Sequence, residues 1–276
     1  MPRHLLIASV LLLSLIQVSA QELYVFSEPA SNMPAKSISA KLSFRSPVSR
    51  YNNYFKQRYT PEIMFGLSKK WMLHLSGTFS DFYWPVEKPE SIKGYAKFRF
   101  YSDDDLHRHF RMAAFAEGSY SKSPFYYGDI NVDGDNSGAQ VGLIATQLVN
   151  KLAVSGTTSV IRVFANKDEH AGHLGHSITA LYYSLSAGYL LVPKEYTDYK
   201  QVNVNLYFEL LGMKGFEAGD YMLDAAPALQ LIFNSNFKIN AGVRLQVLGH
   251  MLRVGETNYS LGIERTFLGA LKRKKK

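Results

Sequence analysis

The sequence predicts an all-β protein, a single closed antiparallel transmembrane β-barrel of about 12 strands. Three observations predict this fold. Twelve short stretches alternate apolar and polar residues, short and long connections alternate between them, and a secretory signal precedes them. A membrane barrel needs all three features, because its strands face lipid on one side and the lumen on the other, with short turns at one end and long loops at the other.

The N-terminus matches a cleavable signal peptide. Arg3 precedes an apolar core from Leu5 to Ile16, and Ala20 completes a small-x-small cleavage site. The core is about a dozen residues long, shorter than the roughly 20 that span a bilayer as a helix. The predicted organisation is a signal peptide at 1–20, a periplasmic N-terminal segment at 21–35, an outer-membrane barrel at 36–267 and a basic tail at 268–276.

Composition is consistent with a barrel and excludes two other classes. The chain has no cysteine, so no disulfide framework stabilises it. Its formal charge of +8 falls to +2 when Arg3 leaves with the signal and the five basic residues 272–276 are set aside, because these carry six positive charges. The basic balance therefore reflects the tail, and no nucleic-acid partner is expected. The 18 Tyr and 17 Phe suit the two aromatic girdles of a membrane barrel.

The clearest strand runs from Val202 to Leu210. Val204, Leu206 and Phe208 should face lipid, whereas the residues between them, such as Glu209, should face the lumen. The same alternation predicts strands near 36–45, 56–68, 70–80, 92–101, 108–120, 138–147, 151–163, 177–189, 201–211, 220–234, 236–248 and 257–267. The even count is typical of bacterial single-chain barrels, and both chain ends fall on the periplasmic side.

Several stretches resemble a group of outer-membrane β-barrels of Bacteroidota that mostly lack an assigned activity. They are "SEPASNMPAKS", "FRFYSDDDLHRHFRMAAF", "GDNSGAQVGLIATQLVNKLAVS" and "LVPKEYTDYKQVNVNLYFELLG". The last strand, which ends at the aromatic Phe267, is similar to the C-terminal signal by which such barrels are recognised for assembly. The resemblance implies the fold, a location in the outer membrane and contact with lipid and the barrel-assembly machinery. It implies no catalytic residues.

The inward positions of the strands carry more cations than carboxylates. Lys93, Lys97 and Arg99 share one face of the stretch "KGYAKFRF", and Arg111 and Arg244 also point inward. A ring of cations raises the local concentration of anions in a low-dielectric channel. The pattern therefore predicts a small channel or porin-like transporter with a mildly cationic lumen, passing small and preferably anionic solutes. A lumen closed by ion pairs explains the same residues equally well.

Two long connections contain metal-ligand spacings. In "DINVDGDNSGAQ", Asp129, Asn131, Asp133 and Asp135 alternate as at the start of a calcium loop. The twelfth position is Gln140 instead of the bidentate Glu, and the same residues are ordinary turn formers.

In "NKDEHAGHLGHS", His170, His173 and His176 are spaced three apart and could bind zinc, copper or nickel if the loop curls. Spacing alone fixes no geometry, and an exposed polar loop is the simpler interpretation.

The function predicted from sequence is thus an outer-membrane channel that uses no cofactor. The first alternative is a closed barrel whose extracellular loops bind a metal ion, a ligand or a partner. An outer-membrane enzyme comes third, because no phosphate loop, dinucleotide fingerprint or nucleophile elbow is present, and no serine can be paired with a histidine.

Overall fold

The computed structural model describes residues 24–50, 52–123, 130–164, 177–195, 198 and 200–272. Its strands alternate with turns and loops, and no helix in these residues is long and apolar enough to cross a membrane. The strands are β1 (Ser37–Pro47), β2 (Arg58–Gly66), β3 (Trp71–Ser80), β4 (Lys88–Asp104), β5 (Arg108–Ser121), β6 (Gly138–Val149), β7 (Leu152–Val163), β8 (Thr179–Val192), β9 (Asn203–Gly215), β10 (Tyr221–Phe233), β11 (Phe237–Gly249) and β12 (Thr257–Phe267).

Every strand pairs with its neighbours in the chain, and β12 pairs with β1 to close the barrel. All pairings are antiparallel, and in the closing pair Leu42 lies opposite Ile263. Closure leaves no free strand edge, so every main-chain polar group of the wall can be satisfied within the sheet, as a bilayer requires. The predicted all-β, twelve-stranded closed barrel is confirmed.

The two faces of the wall differ as the alternation predicts. On β9, Asn205, Tyr207 and Glu209 are buried in the interior, whereas Leu206 and Phe208 keep half of their surface exposed on the outside. A continuous exposed apolar surface on a closed barrel is what lipid contacts require. The structure is therefore that of a transmembrane β-barrel.

Aromatic pairs mark both ends of the exposed surface. Trp71 and Phe98 lie 4.7 Å apart at the end with short turns. Phe44 and Tyr59 lie 5.1 Å apart toward the other end. Aromatic rings at two levels correspond to the two membrane interfaces. We call the end with short turns the periplasmic end and the opposite end the outer end.

One strand is longer than its sequence indicates. The alternation predicts β4 near 92–101, whereas the strand spans Lys88–Asp104 because residues at both of its ends pair with neighbouring strands. Lys88 pairs with Ser80 on β3, and Asp104 pairs with His109 on β5. The sequence pattern does not indicate this extension, because the residues at the ends of β4 are polar and do not continue the apolar alternation. After β12, the start of the tail folds back, and the Leu271 amide donates to the Lys36 carbonyl at 3.0 Å.

Candidate functional site: the barrel lumen

The third outer loop (residues 122–137, described at 122, 123 and 130–137) folds into the lumen. Asn131 Oδ1 accepts a hydrogen bond from the Asp133 amide at 3.0 Å, which forms a tight turn. Gly134 follows with a φ of +129°, a backbone conformation that side-chain-bearing residues rarely adopt. The apolar Ile130 and Val132 pack on wall residues of the outer half. The turn therefore directs the acidic residues of the loop toward the opposite wall.

Two carboxylates of this loop meet cations of the wall. Asp133 Oδ1 lies 2.5 Å from Lys93 Nζ, and Asp133 Oδ2 lies 3.4 Å from Arg45 Nη2. Asp135 binds Arg58, with 2.6 Å between Oδ1 and Nη2. The buried Arg58 also contacts Glu90 at 2.9 Å. These ion pairs hold the loop across the outer half of the lumen, with carboxylates on one side and cations on the other.

The wall cations change the acidity of both loop carboxyls. The Lys93 ammonium holds the pKa of Asp133 well below its usual range, although burial opposes this effect. Burial raises the pKa of Asp135, but the Arg58 guanidinium outweighs it and holds that pKa below the usual value. Both carboxylates are consequently charged at neutral pH, and the loop stays attached by charge.

A second insertion fills the periplasmic half of the lumen. We call residues 24–34 the lumenal segment. Glu209 Oε1 accepts hydrogen bonds from the amides of Val25 and Phe26, each at 2.9 Å. Further along the segment, Ser27 Oγ lies 2.8 Å from Ser186 Oγ. These residues formed part of the predicted periplasmic segment 21–35, and the structure places the described ones inside the barrel.

Lys97 binds the middle of the lumenal segment. Its fully buried ammonium group donates to Glu28 Oε2 at 2.8 Å and to the carbonyls of Pro29 and Ser31 at 2.8 and 3.0 Å. Thr146 Oγ1 accepts from the Ala30 amide at 2.8 Å. A buried ammonium needs several acceptors to offset its lost hydration, and the segment supplies three of them.

A cavity of about 270 Å³ runs from the outer rim to the lumenal segment. Pro47 and Glu256 line its outer end, and Val25, Phe26 and Ser27 line its floor. Carboxylates and cations are equally numerous in its described lining. The cations are Lys41, Arg45, Arg58, Lys93, Arg244 and Arg253, and the carboxylates are Glu28, Glu62, Glu117, Asp133, Asp135 and Glu256. The cavity is therefore strongly polar and close to electroneutral.

The five cations predicted to line the lumen lie at two levels. Lys93 and Arg244 line the cavity, where Asp133 and Asp224 pair with them. Lys97, Arg99 and Arg111 lie toward the periplasmic end.

At that end, the Arg99 amide bonds to the Lys70 carbonyl in the turn between β2 and β3 at 2.8 Å. Arg111 binds Asp104 at 2.8 Å and Ser31 Oγ at 3.0 Å. Within the described residues, no carboxylate lies at ion-pair distance from Arg99.

The two predicted metal loops are described only in part. His170, His173 and His176 lie outside the described residues, and so does Asp129. Asn131, Asp133 and Asp135 bond to one another or to wall cations. Across the described part of the chain, no group of three His, Asp or Glu residues has a geometry that could hold a metal ion.

Sequence reasoning missed the lumenal segment and the buried Arg253 in the last outer loop. Arg253 binds Asp224 at 2.7 Å. For the segment, a signal was available. Lys97 lies opposite Met72 and Phe115 in the sheet, and Glu209 lies opposite Ser186 and Ala226, so neither finds an opposite charge on a neighbouring strand.

Comparison with known proteins gives similarity of fold. A KdgM porin aligns with a TM-score of 0.53 at 12% identity, over 83% of this chain and 99% of that one. An outer-membrane channel from Pseudomonas putida F1 aligns with a TM-score of 0.54 at 10% identity, over 88% of this chain and 100% of that one. No family model and no curated protein matches the sequence. The barrel thus shares its architecture with outer-membrane porins and channels.

Proposed function

We propose that this barrel is a porin-like channel for small hydrophilic solutes, with anions preferred. The observation that carries the proposal is the cavity that enters from the outer rim between charged walls. A permanently closed barrel does not require a polar cavity open at its rim, whereas a path for solutes across a membrane requires a polar lining. The sequence resemblance to Bacteroidota outer-membrane barrels supports the same location for the protein.

The anion preference is assigned to the periplasmic end of the lumen. In the outer half, the opposite charges of the third outer loop neutralise the wall cations. Toward the periplasmic end, Lys97 and Arg111 pair with Glu28 and Asp104, and Glu209 binds main-chain amides. Arg99 is the cation of this end that has no carboxylate at ion-pair distance within the described residues. A cation without a carboxylate partner in a narrow, low-dielectric passage attracts anions and repels cations.

An acidic saccharide is one solute class worth testing. A KdgM porin of similar fold is described in complex with disordered oligogalacturonate, which is a polyanion. A periplasmic mouth rich in arginine and lysine would favour carboxylate-bearing solutes of this kind. Chloride and short oligogalacturonates are therefore the first probes for this chain.

The geometry gives less support to the other two candidates. Binding by the outer loops depends on the histidine loop, which lies outside the described residues. For an enzyme, His74 and His109 bind Glu62 and Asp104 at 2.7 and 2.9 Å. Among the described residues, neither histidine forms a hydrogen bond to a serine hydroxyl, so no nucleophile is paired with a general base.

Conductance of the refolded protein in a planar bilayer tests the proposal. In a KCl gradient, wild type should conduct, and its reversal potential should show a preference for chloride. The Arg99→Gln/Arg111→Gln double variant should shift the reversal potential toward cation preference. Arg265→Gln is the matched control, because Arg265 lies near the same end but is exposed on the outer face. If the channel conducts but the double variant leaves its reversal potential unchanged, the assignment of anion preference is refuted.

A further inference from the structure

We infer that the lumenal segment is a periplasmic gate, a displaceable strap that occupies a peptide-binding site built into the barrel wall. The inference rests on the proposed channel function. It assigns to residues 24–34 a role that the channel proposal leaves open: they form the floor of the solute cavity, so solute passes only when they withdraw.

The site recognises main-chain groups of an extended peptide. Glu209 accepts from two successive amides, and Lys97 donates to two carbonyls. Thr146 accepts from a further amide. These wall groups come from β9, β4 and β6, so the segment crosses the lumen from one side to the other. A passage crossed in this way at its narrow end is obstructed.

The segment is attached in a way that permits withdrawal. In the part of the chain that the structure describes, its main chain joins no strand ladder, and side chains of the wall hold it instead. The wall beneath it is polar at the anchors, where Ser186 and Thr146 lie, and apolar where Met72 and Phe115 pack with Ala30 and Met33 of the segment. At the polar positions, water can replace each hydrogen bond that the segment gives up.

Close apolar contacts at both ends of the segment define the closed position. The Phe26 ring lies against Gly242, where even a Cβ atom would come within 2.9 Å of the ring. At the other end, Met33 lies against Gly66, where a Cβ would come within 2.9 Å of Met33 Cγ. Absence of a side chain at both glycines leaves room for the segment. These contacts fix one position for the segment in the closed state. The hydrogen bonds in its polar middle can be replaced by water when it withdraws.

A disulfide lock tests the gate directly. The chain has no cysteine, so the Ser27→Cys/Ser186→Cys variant introduces a single pair at two positions whose hydroxyl oxygens lie 2.8 Å apart. Oxidised protein should lose conductance, and reduction should restore it. The control is Ser39→Cys/Thr266→Cys, whose oxygens lie 3.1 Å apart on β1 and β12, because that bond joins two wall strands and leaves the segment free.

A release variant tests the same gate in the opposite direction. Lys97→Gln/Glu209→Gln removes both charged anchors and keeps the shape of the wall. Loss of hydrogen bonds to a charged group shifts the closed-to-open balance by about tenfold or more per anchor, so open probability should rise by at least that factor.

Three outcomes decide the matter. Conductance that falls only in the oxidised lock, or that rises in the release variant, supports the gate. Equal conductance in oxidised and reduced lock, with wild-type behaviour in the release variant, overturns the gate and leaves the channel function standing. Absence of conductance in wild type, reduced lock and release variant alike overturns the channel function and, with it, the gate.

Discussion

The third outer loop fills the outer half of the lumen through ion pairs, whereas the lumenal segment fills the periplasmic half through bonds between wall side chains and peptide main chain. The loop is anchored charge to charge, as in Asp135 with Arg58. The segment presents mostly neutral amides and carbonyls to Glu209 and Lys97. The ion pairs of the loop neutralise the wall charges of the outer half. In the periplasmic half, water can replace the segment as the hydrogen-bond partner of the wall.

Sheet register leaves charges without a partner in both halves of the wall. Lys93 in the outer half, like Lys97 and Glu209 in the periplasmic half, has neutral neighbours on both adjacent strands. A wall charge with no partner in the sheet must obtain one from an inserted peptide or from water. Lys93 obtains the Asp133 carboxylate of the loop, whereas Glu209 obtains main-chain amides of the segment. We therefore expect the periplasmic insertion to be the one that exchanges with water.

The largest effect should come from Arg58→Ala in the outer half. The change leaves Glu90 and Asp135 buried without their cation, which should cost about 3–5 kcal/mol in the free energy of unfolding. Urea unfolding of the refolded barrel in lipid vesicles measures it. Arg50→Ala is the control, because Arg50 and Glu256 form an exposed pair at 3.6 Å, and its loss should cost less than about 1 kcal/mol. Equal costs would contradict the ion-paired role of the loop.

A smaller effect is expected from Gly242→Leu in the periplasmic half. The new side chain takes the place of Phe26 and should expel the segment at a cost of about 1–3 kcal/mol. Residues 24–34 should then become sensitive to protease, while the barrel itself remains folded. Gly94→Leu is the control, since a Cβ at that position meets nothing within 4 Å. Continued protection of the segment would show that Phe26 does not seat it.

The sequence predicts the wall of the barrel but not the contacts in its lumen. Alternation on β9 and β11 predicted the barrel and its faces, because lipid and lumen impose opposite demands on successive residues. It could not locate the partners of Lys97 and Glu209, because the lumenal segment has no periodicity and meets the wall far away in sequence. The separation is 69 residues for Glu28 and Lys97 and 184 residues for Val25 and Glu209. The inward turn of the third outer loop could not be predicted either, because turn-forming residues indicate a bend but not its direction.

Mild acidification should leave the outer half unchanged. The folded pKa values of Asp133 and Asp135 are lowered, so their contribution to stability is complete above the unfolded value of about 3.9 and is lost only as the pH falls through the lower folded values. Protease protection of the third outer loop should therefore be equal at about pH 7 and pH 5. Release within that interval would mean that another group holds the loop.

Among the substitutions, the smallest effect is expected from Lys93→Gln/Asp133→Asn on ion selectivity. Lys93 Nζ and Asp133 Oδ1 lie 2.5 Å apart, and removing both leaves the net fixed charge of the outer half unchanged. The reversal potential should consequently move less than in the Arg99→Gln/Arg111→Gln variant. A larger shift for Lys93→Gln/Asp133→Asn would move the selectivity-determining level from the periplasmic half to the outer half and reverse the comparison.

The separation between the segment and its anchors also sets an order of events during folding. Residues 24–34 leave the ribosome before any strand, yet their binding groups are distributed over β4, β6, β8 and β9. Contacts between residues so distant in sequence form late, because a long loop must first be closed. The earliest part of the described chain to be made is thus among the last to be ordered, and the lumen stays hydrated while the wall assembles around it.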